Sequence, residues 1–352
     1  MNETIRTSFV KQVGWCDRMG SALYAELVQA ALDNLDAGGP VRDIVAGYEG
    51  DALSDALPLR FMGGIHRLVL DGKAPQLAGH FPTVGGTPYQ PTLVKDFLDV
   101  VDDNTDYLID AQQVAPQTNE IGRSAALLPG LAYALDNRSL QIRLLEIGSS
   151  AGLNLLADRY HYRSDHWTWE GSVDAPVITF DWAGSVPSFP ERFEIVERRG
   201  CDLSPLDASD PEAQIRLLSF VWADQPGRFQ RLKAALEMVQ PGDVSLNKAD
   251  AASWVEERVL EPTAPGVMTV LQHSVMWMYL SEESRSTILA AMEHAGARAT
   301  NERPLAHVRF ESAPEQYDAE GHRLTVTTWP DREERVLAWG HAHGTWVRWT
   351  QR

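Results

Sequence analysis

The chain has 352 residues, which is enough to bury a large core in one large domain or two smaller ones. Its 31 lysines and arginines against 49 aspartates and glutamates give a formal net charge of −18, and no basic run offsets it. This composition argues against a nucleic-acid partner, because phosphate binding requires a clustered positive surface.

The cysteine content and the N-terminus point to the cytoplasm. Cys16 and Cys201 form neither a metal-type pair nor a disulfide framework. The first residues lack the basic stretch and apolar core of a signal peptide, and no apolar run is long enough to span a bilayer. We therefore expect a cytoplasmic protein that does not enter membranes, and the sequence leaves its oligomeric state open.

The first 138 residues are predicted to form a mainly helical accessory domain. Apolar positions recur at helical spacing from about residue 4 to 36, and again near 93–101 and 121–135. Pro129 is expected to kink or break the last of these helices. Between the first and second lies a long loop, residues 71–91, which is typical of a lid or of a disordered segment.

After residue 139 the pattern alternates strands with helices. Strands are predicted near 142–147, 193–197, 244–247 and 266–272, with a helix that follows the first strand and ends at about residue 160, and a β insertion, expected to be a hairpin, near 161–192. The tail is β-rich, at 307–310, 324–329, 335–339 and 345–349. Residues 139–352 are therefore predicted as an α/β domain with a three-layer, doubly wound, mostly parallel Rossmann-like sheet and antiparallel C-terminal strands.

The first predicted strand ends in a motif that favours a ligand site. Glu146 is followed by Gly148 and Gly152, and an apolar helical pattern begins at once. The first glycine lets the backbone approach a ligand, and the second permits close helix packing. The spacing is not that of a dinucleotide fingerprint. An acidic residue ahead of the glycine is typical of S-adenosylmethionine sites.

Two further acidic residues follow the next two strands. Asp202 is placed to accept hydrogen bonds from a ribose diol, and Asp250 is placed to receive an adenine amino group. Each alone is more often a helix cap or a solvated loop residue. Their common placement at the carboxyl ends of successive strands favours a shared cofactor site.

The chain also resembles a known family, domain-of-unknown-function family 2332, over nearly its whole length. The resemblance is carried by five segments, at residues 117–129, 146–154, 199–205, 221–228 and 272–274. The C-terminal part of that uncharacterised family is similar to class I S-adenosylmethionine-dependent methyltransferases. The resemblance implies a Rossmann-like fold of that type and S-adenosylmethionine as cofactor, without a resident metal, and it implies no particular acceptor.

The methyltransferase pattern can be placed residue by residue on this sequence. It falls on Glu146, Gly148, Ser149 and Gly152 for the first motif, on Asp202 and Asp250 after the next strands, and on Gln272 after the fourth. Ser150 replaces the second glycine of the usual motif. An Asn-Pro-Pro-Tyr motif is absent from the end of the fourth strand, which makes nucleobase and glutamine amino groups less favoured acceptors than other small molecules.

Three further residues are candidates around this site. His273 follows the fourth strand and is the predicted general base, since imidazole titrates near neutrality; the alternative is a buried, hydrogen-bonded histidine. Asn119 and Arg123 are expected one turn apart on a helix that closes the cofactor pocket, with Arg123 pairing to a carboxylate. Their alternative is a solvated polar face.

Residues 148–152 also spell the G-x-S-x-G nucleophile elbow of α/β-hydrolases. In that hypothesis Ser150 is the nucleophile, and Asp250 with His341 or His343 completes the triad. The helical pattern before residue 140 leaves no place for the strand and loop that form an oxyanion hole. A third hypothesis is a cofactor-binding module without catalysis. His341 and His343 also have the spacing of a metal pair, although that signal is weak.

Overall fold

The computed structural model describes residues 3–313 and 321–351. The chain forms two compact units, one of Met1–Thr118 with Pro211–Lys233 and one of Asn119–Asp210 with Ala234–Arg352. The sequence placed a boundary at residue 138, whereas the second unit begins at Asn119. It includes helix α8 (Ser124–Leu135) because this helix packs on strand β9 (Leu305–Ser312) of the large sheet.

The first unit is built from helices around one apolar core. They are α1 (Glu3–Arg18), α2 (Ala22–Ala37), α3 (Pro40–Ala46), α4 (Leu57–Leu70), α5 (Pro75–Ala78), α6 (Leu93–Asp103), α7 (Thr105–Ala111), α9 (Pro211–Ser219) and the first part of α10 (Pro226–Met238). The periodic segment from residue 4 to 36 is thus two helices. Gly20 has a φ of +76°, and the Ser21 hydroxyl caps α2 by accepting from the Tyr24 amide; this glycine turn ends α1.

The segment 71–91 was expected to lack regular structure, but it contains α5 and a 3-10 turn at Pro82–Val84. Phe81 is fully buried. The His80 Nε2 atom lies 2.8 Å from Asp96 Oδ2, and His66 Nε2 lies 2.9 Å from Thr83 Oγ1. These buried contacts anchor the segment to the core of the first unit.

The second unit is organised around a mixed, mostly parallel sheet, for which the described residues supply nine strands in the order β5-β12-β11-β10-β9-β8-β1-β6-β7. The strands are β1 (Gln141–Ile147), β5 (Asp181–Ala183), β6 (Glu194–Asp202), β7 (Ser245–Lys248), β8 (Val267–Ser274), β9, β10 (His322–Trp329), β11 (Glu333–Gly340) and β12 (Trp346–Trp349). Strands β7, β6, β1, β8 and β9 are parallel, and β9 to β12 pair antiparallel. The predicted α/β class and antiparallel tail are confirmed.

Helices cover both faces of this sheet. Leu145 and Ile147 of β1 join an apolar core with α11 (Ala251–Arg258) and α12 (Glu282–Gly296). On the other face, α8 packs on β9 and β10. Pro129 lies inside α8 and does not break it, which was one of the two outcomes expected. All of residues 124–132 are buried, and we attribute the survival of the helix to this packing, which offsets the lost backbone hydrogen bond.

Two local predictions need correction. The helix expected after the first strand, ending at about residue 160, is a 3-10 helix, Leu153–Arg159, with non-helical dihedral angles at Leu156. The insertion near 161–192 is more than a hairpin: within the described residues β2 (His161–Arg163), β3 (Thr168–Trp169) and β4 (Val177–Thr179) form a small separate sheet. The last strand of the insertion, β5, joins the large sheet beside β12.

Strand order reverses at β1. The chain continues from β1 to β6 and β7 on one side and then crosses to β8 and β9 on the other. In open α/β sheets ligands bind outside the carboxyl ends of the strands at such a reversal. The edge formed by the ends of β1, β6, β7 and β8 is therefore where a functional site is expected.

Candidate functional site

Glu146 is a buried carboxyl at the end of β1, with only 2% of its surface exposed. Its neighbours Leu145 and Ile147 point into the core with α11 and α12, so Glu146 faces the opposite layer. Burial raises the pKa of the Glu146 carboxyl to about 8, although Arg123 and the Gln272 amide oppose this rise. Its Oε2 atom has no hydrogen-bond partner among the described residues. In its ionised form the carboxylate can therefore accept a hydrogen bond from a ligand.

Gln272 lies beside Glu146 on the adjacent strand β8, in direct register. The side chain is fully buried, and its Nε2 donates to the Asn154 carbonyl at 3.2 Å. The Oε1 atom, like Glu146 Oε2, has no partner within the described part of the chain. An unmet buried polar atom costs about 1–3 kcal/mol, so two of them side by side indicate the position of a polar ligand.

The loop after β1 has three positive φ angles, +65° at Gly148, +52° at Ser150 and +75° at Gly152. Ser149 anchors this glycine loop, residues 148–152, to β6. Its amide and its hydroxyl both donate to the Cys201 carbonyl, at 3.0 and 3.2 Å. The predicted cofactor contact Ser149 is thus turned toward the sheet. The loop conformation explains the glycines, since positive φ is strained for other residues.

Asp202, the last residue of β6, contacts the glycine loop. Its Oδ2 accepts from the Ser150 amide at 3.0 Å, and its Oδ1 accepts from the Ser204 amide at 2.9 Å. Each carboxylate oxygen has two lone pairs, so both retain capacity for a ligand hydroxyl. Asp202 therefore both shapes the loop and remains able to bind.

Asp250 follows β7 and caps α11. Its Oδ1 accepts from the Ala252 and Ser253 amides at 3.0 and 3.1 Å. This is the helix-cap role that the sequence left open beside the cofactor role. Because β7 neighbours β6, the carboxylates of Glu146, Asp202 and Asp250 follow one another along the same edge of the sheet.

Asn119 was expected on a helix that closes the pocket, but it precedes the 3-10 turn at Ile121–Arg123. Its Oδ1 accepts from the Ala151 amide at 3.2 Å and the Leu153 amide at 2.9 Å. Asn119 therefore satisfies the donors at the end of the glycine loop from within the protein.

Arg123 also lies in that 3-10 turn rather than on a regular helix. Its Nε donates to the Ala342 carbonyl and its Nη1 to the Ser274 carbonyl, both at 3.1 Å. The guanidinium is close enough to Glu146 to lower the pKa of that carboxyl against the effect of burial. Arg123 thus joins the end of β8 to the β11–β12 turn and contributes positive charge at Glu146.

His273 is fully buried, and both of its ring nitrogens have partners inside the protein. Nδ1 lies 2.7 Å from Glu311 Oε1, and Nε2 lies 3.1 Å from His307 Nε2. Its ring stacks on Trp277, with centroids 4.8 Å apart. Strand alternation places it on the face opposite Gln272. The alternative hypothesis, a buried and hydrogen-bonded histidine, describes this geometry, so the chain's contacts give no support to a general base here.

His341 and His343 lie in the turn between β11 and β12, with ring centroids 5.2 Å apart. The His343 amide donates to His341 Nδ1 at 3.2 Å, which occupies one nitrogen of the proposed pair. Among residues 3–313 and 321–351, no group of three or more His, Cys, Asp or Glu side chains is arranged to hold a metal ion.

Sequence reasoning missed Glu311 and Met276. The Glu311 carboxyl accepts from the Met276 and Trp277 amides and binds His273. A Cβ atom at Gly148 would lie 2.9 Å from both Cβ and Cγ of Met276. Glu311 follows the predicted strand 307–310, and no sequence motif signals a contact with a loop 35 residues earlier.

The candidate site thus lies in an α/β protein, at the edge of the sheet where the strand order reverses and where ligands bind in such folds. Residues 6–349 match the family described as "Uncharacterized protein conserved in bacteria" (domain of unknown function 2332). The chain belongs to this family, as the sequence resemblance indicated. It matches no curated protein. Within the part of the chain that is described, no helix is long and apolar enough to cross a bilayer.

Proposed function

We propose that this protein is a class I S-adenosylmethionine-dependent methyltransferase with a Rossmann-like catalytic domain and a small-molecule acceptor. The observation that carries the proposal is the pair of buried oxygens, Glu146 Oε2 and Gln272 Oε1, for which the described residues provide no donor. They lie at the reversal of strand order, beside a glycine loop. Such a pair suits a cationic, donor-rich ligand.

The residues at this edge fit the parts of that cofactor. S-adenosylmethionine supplies, when bound, a methyl group on a sulfonium for in-line displacement. In this proposal Glu146 and Gln272, whose buried oxygens have no partner among the described residues, accept hydrogen bonds from an ammonium group, and Asp202 accepts from a ribose diol. The Asp250 carboxylate has one oxygen engaged in capping α11, and its other oxygen is our candidate for an adenine amino group.

Positioning and exclusion of water are the main contributions expected from the chain. Glu146 sits in a buried environment that raises its pKa to about 8. A positively charged ligand favours the ionised carboxylate, so binding would move a proton from Glu146 to solvent near neutral pH. His273 takes no part in this scheme, because Glu311 and His307 occupy its nitrogens.

The hydrolase alternative rests on Ser150, which has a φ of +52° and a buried Oγ without a partner among the described residues. A nucleophile elbow uses the amide of the next residue in its oxyanion hole. Here the Ala151 amide donates to Asn119 Oδ1 at 3.2 Å. This contact disfavours a hydrolase, and we retain Ser150 as a discriminating residue in the test.

The test is calorimetric binding of S-adenosylmethionine and S-adenosylhomocysteine, with thermal shift as a second readout. At one hundred times the dissociation constant, a specific ligand should stabilise the protein by about 2.7 kcal/mol. Glu146→Gln should weaken binding, whereas Ser150→Ala and the exposed control Glu257→Gln should not. Glu257 is suitable because its side chain is 67% exposed.

Two outcomes would contradict the proposal. The methyltransferase proposal is refuted if the wild type binds neither compound. Covalent labelling of the wild type, but not of Ser150→Ala, by an active-serine phosphonate would support the hydrolase hypothesis instead. Binding of both compounds, with no methyl transfer to any compound in an acceptor screen, would identify a cofactor-binding module instead.

A further inference from the structure

The segment that follows β8, Val275–Tyr279, has an unusual backbone. Val275 has a φ of +52°, which is a rare conformation for a β-branched residue and costs energy that other contacts must offset. Its amide donates to the Phe310 carbonyl at 3.0 Å. The chain then enters a 3-10 turn at Trp277–Tyr279. The segment is therefore held in place by the neighbouring strand β9.

Glu311 of β9 makes most of this attachment. The Met276 amide lies 3.2 Å from both carboxyl oxygens, and the Trp277 amide donates to Oε2 at 3.3 Å. His273 Nδ1 lies 2.7 Å from Oε1. The carboxyl is 13% exposed, so these charge-assisted bonds form largely away from solvent, where they are strongest.

Two histidines fix the orientation of that carboxyl. A carboxylate only accepts, so His273 Nδ1 donates to Glu311, and His273 Nε2 lies 3.1 Å from His307 Nε2. Burial, together with the charges of Arg309 and His273, holds the pKa of His307 well below its ordinary value. Trp277 stacks on His273 with an interplanar angle of 12°. The chain His307, His273, Glu311 is thus fully connected.

The segment held by Glu311 contacts the glycine loop. A Cβ built on Gly148 would meet the Cβ and Cγ of Met276 at 2.9 Å, closer than real Cβ atoms approach. Met276 therefore packs directly on the backbone of Gly148. Movement of the Met276 backbone would remove a packing contact of the glycine loop. The same loop contains the Ser150 amide, which donates to Asp202.

We propose that Glu311 is a positioning residue that holds Met276 against Gly148 and so keeps the glycine loop in its ligand-binding form. The identity of the ligand, S-adenosylmethionine, rests on the proposed function. The coupling between the two segments does not.

The first experiment measures amide hydrogen exchange in the protein without ligand. Glu311→Gln replaces an acceptor that takes three donors by an amide with one acceptor oxygen. We expect exchange at Met276 and Trp277 to rise at least about tenfold, the effect of losing a hydrogen bond to a charged group. Exchange should also rise at the Ser149, Ser150 and Gly152 amides, each of which has a native acceptor.

The matched control is Glu333→Gln, an exposed glutamate on β11 that pairs with Arg335. It should leave both segments unchanged. A second variant, Met276→Ala, keeps the backbone bonds to Glu311 but removes the side chain over Gly148. It should raise exchange in the glycine loop alone, and it keeps the proposal testable if Glu311→Gln does not fold.

The second experiment measures the dissociation constant of S-adenosylhomocysteine well below the melting temperature. Glu311→Gln and Met276→Ala should each raise it by about tenfold or more, and Glu333→Gln should not. A purely structural role predicts a lower melting temperature with unchanged loop exchange and affinity, and that result overturns the positioning role. Lack of binding by the wild type would refute the proposed function, while the exchange experiment would still decide the role of Glu311.

Discussion

Glu146 and Gln272 lie directly opposite each other on the parallel strands β1 and β8, and each has a buried oxygen that no described residue hydrogen-bonds. The two residues are separated by more than a hundred positions in the chain, yet the strand register makes them neighbours. Their shared environment has measurable consequences for ligand binding and for stability.

Ligand binding should depend on pH through Glu146. Its pKa of about 8 leaves the carboxyl mainly protonated at pH 7, while the ammonium group of a bound ligand favours the ionised form. Affinity for S-adenosylhomocysteine should therefore rise from pH 6 to 8, by at most about tenfold per unit, and level off above this range. Calorimetry at pH 7 in buffers of different ionisation enthalpy should show proton release by the wild type and none by Glu146→Gln. Equal proton release by both would exclude Glu146 as the linked group.

The stability of the ligand-free protein should also depend on Glu146. The folded state holds this proton more tightly than the unfolded chain does, because burial raises the pKa from 4.5 to about 8. Stability from this group is therefore present at low pH and is lost as pH rises between these values, by at most about 1.4 kcal/mol per unit. Urea unfolding at pH 6 and pH 9 should show that the free energy of unfolding falls less with rising pH in Glu146→Gln than in the wild type. Parallel pH profiles would contradict this assignment.

Asp250 can be tested for ligand binding separately from its capping role. Serine is a good N-cap but lacks a carboxylate, so Asp250→Ser should leave the melting temperature nearly unchanged and weaken S-adenosylhomocysteine binding by roughly tenfold. Asp250→Ala should also lose about 1 kcal/mol of stability. Asp250→Ser with wild-type affinity would show that this residue only caps α11.

The Oδ1 atom of Asn119 should be essential for the stability of the glycine loop. Asn119→Ala leaves the Ala151 and Leu153 amides without their acceptor, and we expect a loss of about 2–4 kcal/mol in the free energy of unfolding. Asn119→Asp keeps an acceptor oxygen and should recover much of that loss. Urea denaturation of the three proteins measures both effects. Equal unfolding free energies for Asn119→Ala and the wild type would contradict this role of Asn119.

Local sequence signals predicted the parts of this protein that depend on short-range chemistry. Ser281, a residue type that favours helix N-caps, caps α12, and Asp202 reaches the glycine loop because it ends the strand next to β1. The 3-10 helix after Gly152 was missed, since an apolar pattern over seven residues does not distinguish it from an α-helix.

Other features depend on contacts between distant segments, which composition and spacing do not encode. Pro129 stays helical within a fully buried stretch, and tertiary packing overrides its local preference. Both nitrogens of His273 are engaged by residues more than 30 positions away. The sequence left a general base and a buried, hydrogen-bonded histidine open for this position, and only these distant contacts distinguish them.

The two outermost strands of the large sheet are short, three residues in β5 and four in β7 among the described residues. Long exposed edge strands recruit other chains, and short, charged ones resist this. β5 belongs to the insertion and covers β12, whose residues include Trp346 and Trp349. Removing residues 161–192 would make β12, with its two tryptophans, the exposed edge strand of the sheet. We therefore expect the insertion to protect this protein from aggregation.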